Sequence, residues 1–295
     1  MKTACALVAL IASAVLSLPQ EVKRPPITGF AHVAFYTSNP EAAKHFYVDL
    51  LGLDPGEQAG VYTVGRQSVE AVAENPAQPP SLLSNIALAT EDVEGMRRYL
   101  ESRGVDVPAS IHSEAKGAQW FEVRDPEGNR IQFVQENRHW RAQTRAISTQ
   151  IIHAGFLVHD RAVEDRFYRD ILGFKPYWFG GRSEDRTDWV AMQVPEGKQW
   201  IEYMLTDKDA TVSSRQLGVL NHFSLGVSDI QTTAKLLTER GWKSSQGSRV
   251  QMGRDGKWQL NVYDPDGTRV EFMEFSPKEK PCCSPFTAPH PEGTH

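Results

Sequence analysis

The chain repeats itself. The segment FAHVAFYTSNPEAAKHFYVDLLGL, starting at Phe30, returns as IIHAGFLVHDRAVEDRFYRDILGF, starting at Ile151. His32 precedes Phe46-Tyr47 and Gly52 by the same offsets at which His153 precedes Phe167-Tyr168 and Gly173. A second segment behaves likewise: NIALATEDVEGMRRYLESRGV from Asn85 and HFSLGVSDIQTTAKLLTERGW from His222, each running into a matching end, FEVRDPEGNRIQF and LNVYDPDGTRVEF. Two kinds of unit therefore alternate over about residues 27–276, and any fold for this chain has to be built twice.

Each unit has one plan. An apolar strand rich in β-branched and aromatic residues comes first, then an Asp, Asn or Ser at a helix start, apolar residues at three and four spacing, and a Gly stop. Two or three strands follow, divided by turns such as Asp125-Pro126-Glu127-Gly128 and Asp264-Pro265-Asp266-Gly267. Pro presets the first angle of such a turn and Gly permits the last. The pattern predicts an α+β chain of strand, helix and short antiparallel groups. A polar stretch at about 137–148 separates the halves, giving domains over 27–137 and 149–276.

The 295 residues suit two domains. A hydrophobic share of 40%, 23% charged residues and a net charge of −5 describe a folded chain without a basic field. Nucleic acid and anionic lipid are disfavoured as partners, and a small-molecule substrate is favoured. Met1-Lys2 followed by ACALVALIASAVLSL, ending at Leu18, reads as an export signal over 1–18, too short for a comfortable membrane span. Cleavage after Ala14 or after Ser17 both fit, and the mature chain is then periplasmic or secreted with no stable span. Residues 277–295 are Pro-rich without an apolar period, which predicts a disordered tail. Its adjacent Cys282 and Cys283 are expected to pair between chains or stay free.

Strand alternation decides where the unusual residues point. In IIHAGFLV, Ile152, Ala154, Phe156 and Val158 make an apolar face for the helix, so His153 projects to the other side. By the same split Glu202 opposes Ile201 and Tyr203, His222 opposes Phe223 and Leu225, and Glu271 opposes Val270 and Phe272. Two imidazoles and two carboxylates thus share the non-helix face of the second half. Unpaired carboxylates turned into a cavity would cost several kcal/mol each. One divalent cation compensates them, and a mixed nitrogen and oxygen set suits Zn, Ni, Fe(II), Mn or Co better than Ca. The first-half equivalents are His32, Glu70, Asn85 and Gln132. With two ligands replaced by amides, that half is expected to be a metal-free partner domain with a polar pocket.

Paired units that begin with a strand His, continue FYxDxLG and end DPxGxxxE resemble the vicinal oxygen chelate superfamily, over about residues 27–276. The resemblance implies paired βαβββ modules, each pair forming an incompletely closed β-barrel cup around a metal. Carried over by position, it implies His153, His222 and Glu271 as permanent ligands, with Glu202 as fourth ligand or general base. Glyoxalase-like members use such a set in lyase or isomerase chemistry on a substrate that chelates through two oxygens. Ring-cleaving extradiol dioxygenases resemble this chain in keeping the active site in the second half, but need only two His and one carboxylate. They also use an acid/base His that the stretch 174–205 lacks. A binding protein without chemistry is the third reading. Members of the superfamily can share cups between chains, which leaves a homodimer open. Trp178, Trp189, Arg182, Arg186, Arg254 and Lys257 fall in predicted loops near the cup mouth, where solvated charge is the default role. His45, His112, His139 and His159 receive no role.

Overall fold

The computed structural model of the chain describes residues 22–73, 82–114, 117–136, 145–244 and 247–293. The signal over 1–18 and His139 lie outside them. The first half runs β1 (Ile27–Thr37), α1 (Pro40–Lys44), β2 (Asp54–Pro55), β3 (Val61–Val64), β4 (Gln67–Ala73), β5 (Leu83–Thr90), α2 (Val93–Ser102), β6 (His112–Ser113), β7 (Gln119–Arg124) and β8 (Arg130–Gln135). The second runs β9 (Ile151–Val158), α3 (Arg161–Asp165), β10 (Lys175–Gly180), β11 (Trp189–Gln193), β12 (Trp200–Leu205), α4 (Ser214–Leu220), β13 (His222–Val227), α5 (Ile230–Glu239), β14 (Gln251–Met252), β15 (Trp258–Tyr263) and β16 (Arg269–Glu274).

Each half is one eight-stranded sheet, in the orders β2-β3-β4-β1-β5-β8-β7-β6 and β10-β11-β12-β9-β13-β16-β15-β14. The predicted βαβββ modules are therefore present, joined in pairs by their first strands. β9 runs antiparallel to β13, while β12 and β16 flank them in parallel. Ligand-bearing strands consequently lie side by side at the sheet centre. The helix starts also behave as the sequence predicts: Asp92 and Asp229 each accept a hydrogen bond from a first-turn amide, Gly95 and Thr232, at 2.7 Å. Helices α1 and α3 continue into π-helical turns, His45–Leu50 and Arg166–Ile171, and end at Gly52 and Gly173 with φ of +71° and +79°. Only glycine adopts that left-handed stop without steric cost.

The FYxDxLG and DPxG motifs latch the halves to each other. The Tyr47 hydroxyl donates to Asp264 at 3.1 Å, and Tyr168 donates to Asp125 at 3.0 Å. Beside them Glu127 accepts from the His159 and Asp160 amides at 2.7 and 2.8 Å, and Asp266 accepts from the Thr37 hydroxyl at 2.6 Å. Repeat-equivalent glutamines complete the exchange: Gln67 accepts from the Ile151 amide at 2.7 Å and Gln199 from the Phe30 amide at 3.0 Å. One hydrophobic core runs through both halves, with the Phe35 and Phe223 rings 5.5 Å apart. Burial of that shared face is what makes two sheets one body.

Three expectations need correction. Ile152 does not join the helix-side core; a bulge in the β9 and β13 pairing turns it toward Trp200 and Met273. The tail is also not loose over its described part, up to residue 293. Ser284 bonds both backbone groups of Phe179 at 2.8 and 3.0 Å, Thr287 donates its amide to the Tyr177 carbonyl at 3.0 Å, and Phe286 packs on Tyr177 at 4.9 Å. This strap covers the free edge of β10, supplying partners that an edge strand otherwise leaves exposed. Periodicity could not find it, because its anchors sit singly between prolines. Cys282 and Cys283 are joined to each other in a disulfide, not to another chain and not free.

Candidate metal centre

His153 and His222 are both fully buried, and their Nε2 atoms face each other at 3.0 Å. Glu202 brings Oε2 to 3.4 Å from His222 Nε2 and 3.9 Å from His153 Nε2. Glu271 places Oε2 3.2 Å from His153 Nε2. Each of the four side chains singled out in the second half thus approaches at least one of the others, with Glu271 reaching the cluster through His153. His153, Glu202 and His222 have donor atoms mutually within 4.8 Å, and among the described residues they are the one such group.

Backbone geometry sets the imidazoles. His222 Nδ1 lies 2.9 Å from the Leu220 carbonyl, so this nitrogen carries the proton and Nε2 presents its lone pair to the site. His222 pairs in register with Gly155 on β9. A Cβ at Gly155 would overlap the His222 ring, so glycine is required for the imidazole to lie across that strand. No sequence pattern had marked Gly155. His153 packs against Trp200, ring centroids 4.8 Å apart, and its Nδ1 has no hydrogen-bond partner among the described residues.

The electrostatics suit a cation. Burial, reinforced by the Arg269 charge, lowers the His222 pKa to about 4, which keeps the ring neutral at pH 7. Burial alone would raise Glu271, but the hydrogen bond with His153, then Arg269 and both imidazoles, bring it down to about 2. Glu202 likewise overcomes its burial, through His222 first and His153 next, and falls below the usual carboxylate range. The neutral His222 ring, the His153 nitrogen beside it and two ionised carboxylates fit a borderline divalent metal.

A cavity of about 270 Å³ opens over these groups. Its walls include Trp178, Trp189, Trp200, Met273, Arg254 and Asn261. Trp178, Trp189 and Arg254 thus do reach the cup. Arg182 and Arg186 do not: both pair with buried Asp188, at 3.3 and 2.7 Å, and line a separate groove. Lys257 is no solvated loop charge either, being fully buried. His45 and His159 each hold a carboxylate through Nδ1, Asp49 at 2.7 Å and Glu127 at 2.9 Å, and His112 stacks on Trp120.

In the first half the corresponding groups bond one another. The Asn85 amide donates to His32 Nε2 at 2.9 Å, Glu70 is 3.6 Å from His32 Nδ1, and Gln132 donates to Glu122 at 3.2 Å. An amide spends the imidazole lone pair that a metal would use.

Residues 29–133 and 150–272 match the family described as the Glyoxalase/Bleomycin resistance protein/Dioxygenase superfamily. The chain belongs to it. Two copies of the superfamily's domain account for the doubled sheets. Among solved structures it is similar to homoprotocatechuate 2,3-dioxygenase from Brevibacterium fuscum, determined as an anaerobic complex with 3,4-dihydroxyphenylacetate. That match has 18% identity and a TM-score of 0.63, covering 85% of this chain and 82% of the other. A room-temperature structure of an extradiol ring-cleaving dioxygenase from B. fuscum has 18% identity and a TM-score of 0.65, covering 90% and 75%. At such identity these likenesses establish the superfamily fold. Comparison with curated protein sequences gave no match. Among the described residues no helix is long and apolar enough to cross a membrane.

Proposed function

We propose that the second half is a divalent-metal-dependent enzyme of lyase or isomerase type, acting on a small oxygen-rich substrate that chelates through two oxygens. The observation that carries this reading is Glu202. Its carboxylate lies with both imidazoles, 3.4 and 3.9 Å away, although Glu271 already supplies a carboxylate at 3.2 Å from His153. A site needing only two His and one carboxylate has no use for the second acid, and burying it without a task is costly. His153, His222 and Glu271 would hold the metal, one of Zn, Ni, Fe(II), Mn or Co. Glu202 would serve as a fourth ligand or as the base that takes a proton from bound substrate. When bound, the metal supplies Lewis-acid stabilisation of negative charge developing on chelating oxygens. Trp178, Trp189 and Met273 line the cavity and would give those oxygens an apolar wall.

An extradiol dioxygenase is the second reading, supported by the confinement of the ligand set to the second half. Metal analysis of purified wild type and Glu271→Ala tests the shared premise: stoichiometric metal in the first and its loss in the second are expected. Absence of metal under varied supplementation would favour a binding protein. Turnover of α-hydroxyketones or diols without oxygen uptake, abolished in Glu202→Ala, supports the lyase or isomerase. Oxygen uptake with catechols that survives Glu202→Ala would replace it with the dioxygenase.

A further inference from the structure

Lys257 is fully buried, and its Nζ has no hydrogen-bond partner among the described residues. It sits in a box of three aromatic rings, 4.6 Å from the Trp200 centroid, 5.2 Å from Phe286 and 5.7 Å from Tyr177. All three rings also line the cavity over the metal centre. Phe286 comes from the strap, and the Tyr177 hydroxyl is tied to His290 of the same strap at 2.5 Å. Lys257 itself does not line the cavity but lies just behind these rings, so a ligand would meet its Nζ by displacing one of them, and Phe286 is the one ring that belongs to the strap and not to the sheet.

Ring faces attract an ammonium but do not satisfy its three donors. An unpaired buried ammonium costs several kcal/mol, so an apolar residue would serve packing better here. Burial lowers the Lys257 pKa to about 8, and the charges of Asp255, Glu271 and Glu202 keep it from falling further. Those acids cannot answer for Lys257 once a dication is bound. The metal then takes up the charge of Glu202 and Glu271, and Arg269 with Lys257 outweighs Asp255, leaving the cavity net positive.

The geometry points to Lys257 as the specificity-determining cation of the cavity, receiving a second anionic group, a carboxylate, from the same small molecule that chelates the metal. This rests on the metal-dependent reading above. The substrate class becomes a chelating hydroxy or keto compound that also carries a carboxylate away from its chelating oxygens. Binding it would give the Nζ donors their missing acceptors, and a charge-assisted hydrogen bond of this kind is worth roughly 10- to 100-fold in affinity.

The test uses the full chain loaded with Co²⁺ and three 2-hydroxy acids, lactate, malate and 2-hydroxyglutarate. They share the chelating pair and differ in a second carboxylate and its reach. Wild type is expected to bind at least one dicarboxylate tenfold or more tightly than lactate, and Lys257→Met to lose that preference while lactate affinity stays within about twofold. Lys257→Met should also melt higher than wild type, since methionine fills the box without an unpaired charge. Equal affinities for all three acids in wild type, or a preference that survives in Lys257→Met, would overturn the proposal. So would a lower melting temperature with wild-type selectivity, which marks a packing role. Failure of the wild type to bind Co²⁺ refutes the metal-dependent reading instead, so the two failures are distinct.

Discussion

Replacing Glu164 by glutamine leaves the side-chain shape and removes a titratable proton. Glu164 is fully buried at the junction of the halves, where Oε1 accepts from the Glu127 amide at 2.9 Å and Oε2 has no partner among the described residues. Burial first, and the Asp125 charge next, push its pKa from an ordinary 4.5 up to about 9. In the unfolded chain the acid ionises above pH 4.5, so between 4.5 and 9 folding takes up a proton, and stability falls as pH rises through that window. Below 4.5 both states are protonated and the penalty vanishes; above 9 both are ionised and it levels off. At pH 7, ~2.5 pH units into the window at about 1.4 kcal/mol each, the penalty is ~3–4 kcal/mol. Glutamine keeps the acceptor for Glu127 and has no such penalty. Thermal melts of wild type and Glu164→Gln should coincide near pH 4.5 and separate by roughly 6–16 °C at pH 7, from ~2–4 °C per kcal/mol for a chain of this size. Asp125, Glu127 and Asp165 face Glu164 in both proteins, so the difference between the melts reads the proton that glutamine removes. A separation that is the same at pH 5 and pH 8, or a variant that melts lower at pH 7, would refute the burial argument.

Gly155→Ala is expected to weaken Zn²⁺ binding tenfold or more, measured by equilibrium dialysis, because the new Cβ displaces the His222 ring; unchanged affinity would mean the ring has room the geometry denies it. Tyr168→Phe removes a donor from buried Asp125 and should lower unfolding free energy by ~1–2 kcal/mol in urea, as should Tyr47→Phe at Asp264. The double variant should lose the sum within ~0.5 kcal/mol, since the two latches share no partner. An unshifted midpoint in either single variant would show that the hydroxyls do not hold the halves together.

How much of this was legible in the sequence divides along the repeat. Duplication made the units, helix starts, glycine stops and the order of elements along the chain visible, because each signal occurs in both halves and local chemistry suffices for it. Alternation along single strands then put His153, Glu202, His222 and Glu271 on one face without knowledge of the pairing. The partner of each motif was hidden: nothing local says that Tyr47 meets Asp264 and not Asp125, since reciprocal exchange and exchange within a half leave the same sequence. The strap and the Lys257 box were hidden for the opposite reason, because Phe286 and His290 lie beyond the repeated region and have no second copy to compare.

What separates the cup with four candidate donors from its paired copy is decided by residues on neighbouring strands read together. Gly155 stands opposite His222 in the second sheet, and Ala34 stands opposite Asn85 at the equivalent place in the first. An imidazole needs the bare strand, whereas the shorter amide tolerates a methyl group and spends itself on His32. Restoring His at position 85 alone therefore should not recreate a donor set, because Ala34 would crowd the ring and Gln132 would still offer an uncharged amide where Glu271 offers a carboxylate. The glycine belongs to the site as much as the ligands do, although it contributes no donor atom.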